Sequence, residues 1–106
     1  MAARDSMPAE LLADIKNYLG ITWDDENTDR RVTNLAGAGM AYIGGKLGAE
    51  ADFLDDGFPR TLLFEYVRYA RDSALDVFEN NYASMILAMQ HERRVSAFEA
   101  VQEPTA

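Results

Sequence analysis

The sequence contains no cysteine and a single histidine among 106 residues. The missing cysteine excludes a disulfide framework, zinc thiolates and thiol nucleophiles together, and matches usage in a reducing compartment. The lone histidine, His91, has no second imidazole with which to form a metal pair, so it reads as a solvated helix residue. No stretch approaches the ~20 consecutive apolar residues that a bilayer-spanning helix needs. Residues 1–9 hold no apolar run of the kind a signal peptide uses, and a soluble protein without membrane association is expected. Positive charge is also scarce: 10 Lys and Arg stand against 18 Asp and Glu, giving a net charge of −8. Affinity for nucleic acid comes largely from neutralising phosphates with Lys and Arg, which disfavours a stand-alone DNA or RNA binder.

Motifs of catalysis are missing as well. No serine sits in a nucleophile signature. Gly44-Gly45-Lys46 lacks the following Ser or Thr of a phosphate loop, and no strand precedes it. Asp55 and Asp56 are neighbours in a turn, a poor arrangement for converging on one substrate atom. The acidic run Asp24, Asp25, Glu26 and Asp29 has no glycine at the turn of a calcium loop; it suits the first turn of a helix, where the dipole favours negative charge. The chain is expected to be no enzyme and to carry no cofactor or metal.

What remains is one domain of helical pattern, with 48% apolar residues. Leu11, Leu12, Ile15, Tyr18 and Leu19 form the stripe of a first helix over residues 8–19. Ser6 is a candidate cap, Pro8 an allowed first-turn residue, and Gly20 a left-handed stop with Ile21 folding back toward Ile15. Thr22 and Asp25 suggest a capping box for a second helix. Its apolar face is Val32, Leu35, Ala36, Gly39, Met40, Ile43 and Leu47. Gly37 and Gly39 could admit a close neighbour, while Gly44, Gly45 or Gly48 ends the helix. Residues 49–59 read as a connector. A long third helix is predicted over residues 59–79, with Leu62, Leu63, Tyr66, Val67, Ala70, Ala74, Val77 and Phe78 facing the core and Arg68 pairing with Asp72. Asn80 and Asn81 read as a break before a fourth helix, whose stripe is Tyr82, Met85, Ile86 and Met89 and whose end carries Arg93 and Arg94. The expected fold is therefore all-α, a small bundle of about four helices with a long third helix. The domain spans residues 1–95, and residues 96–106 form a mobile tail that retains Phe98 and Val101.

Two blocks carry a family resemblance. Leu12-Ala-Asp-Ile-Lys-Asn-Tyr-Leu-Gly-Ile21, followed by Thr22-Trp-Asp-Asp-Glu26 and Thr28-Asp-Arg-Arg-Val32, resembles the opening of phage head–tail connector (adaptor) proteins. There a short helix leads through an acidic cap into a second helix, which here continues to Ala41-Tyr-Ile43. Leu62-Leu-Phe-Glu-Tyr-Val-Arg-Tyr-Ala-Arg-Asp72, with Ala74-Leu-Asp-Val-Phe-Glu79 and Tyr82, resembles the long third helix of members from phages and prophages of Gram-positive hosts. The glycines at 37, 39, 44 and 45 depart from the more polar helix of that family.

The resemblance implies a virion protein of the head–tail junction, made in the host cytoplasm. It would be a homo-oligomeric ring, most often twelvefold, beneath the portal protein. Such a ring extends the DNA channel, retains the packaged genome and joins the next head–tail or stopper protein, with DNA passing through unbound. Trp23, Tyr82, Met85, Met89, Arg93 and Arg94 are the candidate contacts between subunits or with the portal, because aromatic and Arg anchors dominate interfaces and methionine packs adaptably. Two alternatives come from other classes. Residues 13–29 have the rhythm of a helix-turn-helix regulator, although its recognition helix would begin with carboxylates facing phosphates. A small helical inhibitor or adaptor protein would instead form a one-to-one complex and no ring.

Overall fold

The computed structural model describes the backbone of residues 7–102 and the side chains of residues 7–99. Among the described residues the chain forms four helices and no strand: α1 (Ala9–Tyr18), α2 (Glu26–Leu47), α3 (Phe58–Arg71) and α4 (Leu75–Gln102). The expected number of helices is present, although the boundary between the third and fourth lies elsewhere, and the helix ends follow local chemistry. α1 closes in a Schellman motif. Gly20 takes φ +79°, its N–H reaches the Asn17 carbonyl at 3.1 Å, and the Ile21 N–H reaches Lys16 at 2.9 Å. Ile21 thereby turns into the core beside Leu11 and Ile15. Ser6, the expected cap of α1, lies outside the described residues; Pro8 occupies the N-cap position. α2 is capped by Asp25 itself, whose carboxylate accepts from the Thr28 N–H at 3.1 Å and hydroxyl at 2.7 Å. The expected Thr22–Asp25 box is therefore displaced by three residues. Of the three glycines that could end α2, Gly48 does so, at φ +75°.

The predicted long third helix is divided. α3 stops at Arg71, and α4 then runs unbroken through Asn80 and Asn81 to Gln102, so the fourth helix is the longest. A second Schellman motif makes the break. The Ser73 N–H bonds to Ala70 at 3.1 Å and the Ala74 N–H to Tyr69 at 2.9 Å, with Ser73 left-handed at φ +56°. A serine there costs about 1 kcal/mol that glycine would not. Ser73→Gly is therefore expected to stabilise the fold by about 0.5–1 kcal/mol, read as a higher urea midpoint at unchanged slope. Asn80 and Asn81 do not break α4 because core contacts flank them: Phe78 before and Tyr82 and Ile86 after. Asn81 donates to the Tyr69 hydroxyl at 3.2 Å, using its amide across the α3–α4 turn.

α3 is central, packed against both α2 and α4. Leu62, Leu63, Tyr66 and Val67 fill the middle, with Leu11 and Ile15 from α1, Val32, Ala36 and Ile43 from α2, and Phe78, Ile86 and Met89 from α4. Gly39 lets α3 approach α2: a Cβ there would lie 2.8 Å from Tyr66 Cδ1 and 2.9 Å from Leu63 Cδ1. Phe78 is fully buried and has Tyr42, Tyr66, Tyr69 and Tyr82 around it, with ring centroids 5.2–6.2 Å away.

Candidate interaction surfaces

Three features concentrate chemistry. The first is a buried carboxylate. Glu65 lies on the core-facing side of α3 and is only 6% exposed. Arg68 Nη2 donates to it at 2.7 Å and Nε at 3.3 Å; the Tyr82 hydroxyl donates at 2.6 Å, and the Tyr18 hydroxyl also donates. Arg68, expected beside Asp72, thus pairs one turn back with Glu65. Burial pushes the Glu65 carboxyl upward, but hydrogen bonds from Arg68, Tyr18 and Tyr82 outweigh it and hold the carboxyl below its usual range. The hydrogen bond to Glu65, with burial, pushes the Tyr82 hydroxyl up to about 12. One carboxylate therefore ties α1, α3 and α4 together through four donors.

The linkage has a definite sign. A carboxyl lowered on folding contributes stability above its unfolded value of about 4.5, and that contribution is lost as pH falls through the lower folded value. A tyrosine raised on folding contributes below its unfolded value of 10.0, and that contribution is lost as pH rises toward about 12. Urea midpoints measured across pH are expected to fall at both limbs. Glu65→Gln should flatten the acid limb, and Tyr82→Phe should flatten the alkaline one.

The second feature is the far half of α4. Gln90 Nε2 donates to the Lys46 carbonyl at 2.8 Å, which fixes α4 to the last turn of α2. Beyond that bond α4 continues for twelve residues, about 18 Å, and none of residues 91–99 is buried. The expected mobile tail from residue 96 is thus helical through Gln102, while residues 103–106 lie outside the described chain. The overhang accounts for a long axis of 54 Å against 30 and 23 Å. Leu87, Val95 and Phe98 are 64, 38 and 63% exposed. At ~100° per residue they share a face roughly opposite the core stripe of Phe78, Tyr82, Met85 and Met89. Arg94 and His91 lie within that outer face, and Glu92 and Glu99 fall on its flank.

The third feature is a groove between α1, α2 and the connector. Pro8, Leu11, Met40, Ala41, Gly44 and residues 49–54 enclose about 620 Å³. Leu54 stands 43% exposed at its edge, and Glu50 and Asp52 supply its charge. Asp52 shapes the connector by accepting the Leu54 N–H at 2.9 Å. Arg60 anchors the same segment, donating to the Phe53 carbonyl at 3.1 Å and pairing with Asp14 at 2.9 Å.

The residues singled out from sequence separate into different places. Met89 is buried at 3% exposure and belongs to the subunit's own core; Met85 packs against that core. Tyr82 is half-buried and engaged with Glu65. Arg93 and Arg94 are exposed on the overhang, and Trp23 stands 52% exposed in the α1–α2 turn. Leu87, Val95, Phe98 and Glu65 were not among the expected contacts. The acidic run at the start of α2 is partly neutralised by Lys16, which lies 2.7 Å from Asp29 and 3.6 Å from Asp24. Among the described residues no group of three His, Asp or Glu side chains could hold a metal ion, and no helix is long and apolar enough to cross a membrane. No family model matches the chain, and no curated protein or solved structure was found similar to it.

Proposed function

We propose that this chain is a structural subunit of a phage head–tail connector, assembling as a ring beneath the portal. The observation that carries this reading is the two-sided character of α4. A helix that is apolar on opposite faces belongs in the interior of something larger than its own bundle. Here one face fills the core, and the opposite face holds Leu87 and Phe98 in solvent. An assembly subunit has a use for such a helix.

The connector form of assembly rests on the sequence blocks at residues 12–32 and 62–82, which resemble that family, and on charge. Eighteen acidic residues against 10 basic ones suit a protein beside a DNA channel, because phosphate is repelled and the duplex slides without binding. Trp23, exposed just before α2, is the candidate contact for the portal or the next head–tail protein. No metal, cofactor or catalytic step enters this role.

The test is the mass of the purified protein by light scattering across concentration, alone and with a cognate portal complex. A ring-sized species that appears cooperatively, or capture by the portal at fixed high stoichiometry, is the expected result. A protein that stays monomeric and ignores the portal would overturn the reading.

A further inference from the structure

The overhang and the groove are complementary in three respects. The outer face of α4 is apolar with positive charge, through Leu87, Phe98 and Arg94. The groove is lined by Leu11, Met40, Phe53 and Leu54 and carries Glu50 and Asp52. An amphipathic helix laid into an apolar groove is a standard mode of recognition, and opposite charges at the edge fix its register.

Their placement is the third respect. Gln90 ties α4 to the Lys46 main-chain carbonyl at the C-terminal end of α2, and Phe78 of α4 packs edge-on against Tyr42, so α4 lies on the Tyr42 face of α2. Met40, Ala41 and Gly44 line the groove close to that same end. At ~100° per residue they lie roughly opposite Gly39, Tyr42 and Lys46 around the α2 axis. α4 and the groove therefore lie on opposite sides of α2. Unlike surfaces on opposite sides of a subunit make a head-to-tail contact, and such a contact closes into a ring when the rotation between copies allows.

We infer that the occupant of the groove is a second copy of this chain: the Leu87–Phe98 face of α4 in one subunit docks between α1, α2 and the connector of the next. Arg94 then meets Glu50 and Asp52 at the rim. This contact deepens the ring reading and rests on it for the closure of the assembly.

The absence of cysteine provides a clean background for disulfide trapping. Leu54→Cys and Phe98→Cys are placed together in one chain; both positions are exposed, and circular dichroism checks that the fold is retained. A disulfide needs Cα atoms within about 7 Å, so rapid bridging reports this contact. Mild oxidation, with and without the portal complex, is expected to give a ladder of dimers, trimers and larger species. Either single variant should give no ladder. Arg94→Glu should slow trapping about tenfold or more, and Glu50→Lys in the same chain should restore it.

Rapid covalent dimers from Phe98→Cys alone would mean that two α4 helices pair about a twofold axis, overturning the inference. Absence of a ladder from a chain whose native form still makes rings would remove this interface and leave the ring reading standing. Absence of both a ladder and any ring-sized species, with or without portal, would remove both. Unchanged trapping by the Arg94→Glu chain would discard the charge contact at the rim.

Discussion

Phe78→Ala is expected to cost about 3–5 kcal/mol, the range for a large aromatic truncated in a closed core. Phe78 is fully buried on α4 and is bordered by four tyrosine rings, three edge-on and one stacked. Each aromatic pair contributes about 0.5–1.5 kcal/mol beyond the area it buries. The cavity would also lie where α2, α3 and α4 meet, so none of the three can collapse into it without losing contact with another. Total stability for a domain of this size is about 5–15 kcal/mol, and the loss should lower the melting temperature by roughly 15–30 °C. Calorimetry on the variant checks this. A shift under about 5 °C would mean that the tyrosines repack freely and that the aromatic centre is not closed.

The second large effect is at Gly39. Gly39→Val is expected to destabilise by about 1–3 kcal/mol, because even its Cβ would lie under 3 Å from both Tyr66 and Leu63. Those neighbours cannot yield cheaply: Leu63 is fully buried, and Tyr66 is held beside Phe78 and Tyr42. Gly45 provides the internal control. It is on the same helix, with nothing within 4 Å of an added Cβ, so Gly45→Ala should stabilise by up to about 1 kcal/mol through helix propensity alone. Opposite signs for the two substitutions, measured by urea unfolding, would separate close packing from simple tolerance of glycine. Destabilisation at both sites would instead mean that α2 needs glycine flexibility throughout.

The glycines also show how much of the fold was legible in the sequence. Gly20 announced its turn, because a left-handed stop after an apolar stripe leaves a recognisable residue. The turn after Arg71 has the same hydrogen-bonding pattern but places Ser73 at the left-handed position, and serine gives no such signal. The Asn80–Asn81 pair gave a false one, since packing of Phe78, Tyr82 and Ile86 overrides the weak helix propensity of asparagine. Glu65 was hidden for another reason. It falls within the face of Leu62 and Tyr66, and its burial depends on donors 47 and 17 residues away in the chain. A carboxylate within an apolar stripe was the available hint. The outer face of α4 was masked by its own spacing: Leu87, Val95 and Phe98 are interleaved with charges, whereas Tyr82, Met85, Ile86 and Met89 form a tighter stripe. From sequence Met89 therefore reads as an interface candidate, although it completes the subunit's own core.

The bond from Gln90 to the Lys46 carbonyl has a consequence for hydrogen exchange. Among the described residues it is the last hydrogen bond between α4 and the bundle, before a helical segment of twelve residues, a length at which an isolated helix is at best marginal in water. Amides up to about residue 90 share the protection of the core, while those beyond exchange by local opening at little cost. In the free subunit, protection along α4 should therefore fall within about one turn of Gln90. If a neighbour covers the overhang, that step should vanish, and one helix would act as a gauge of how much of the protein has assembled.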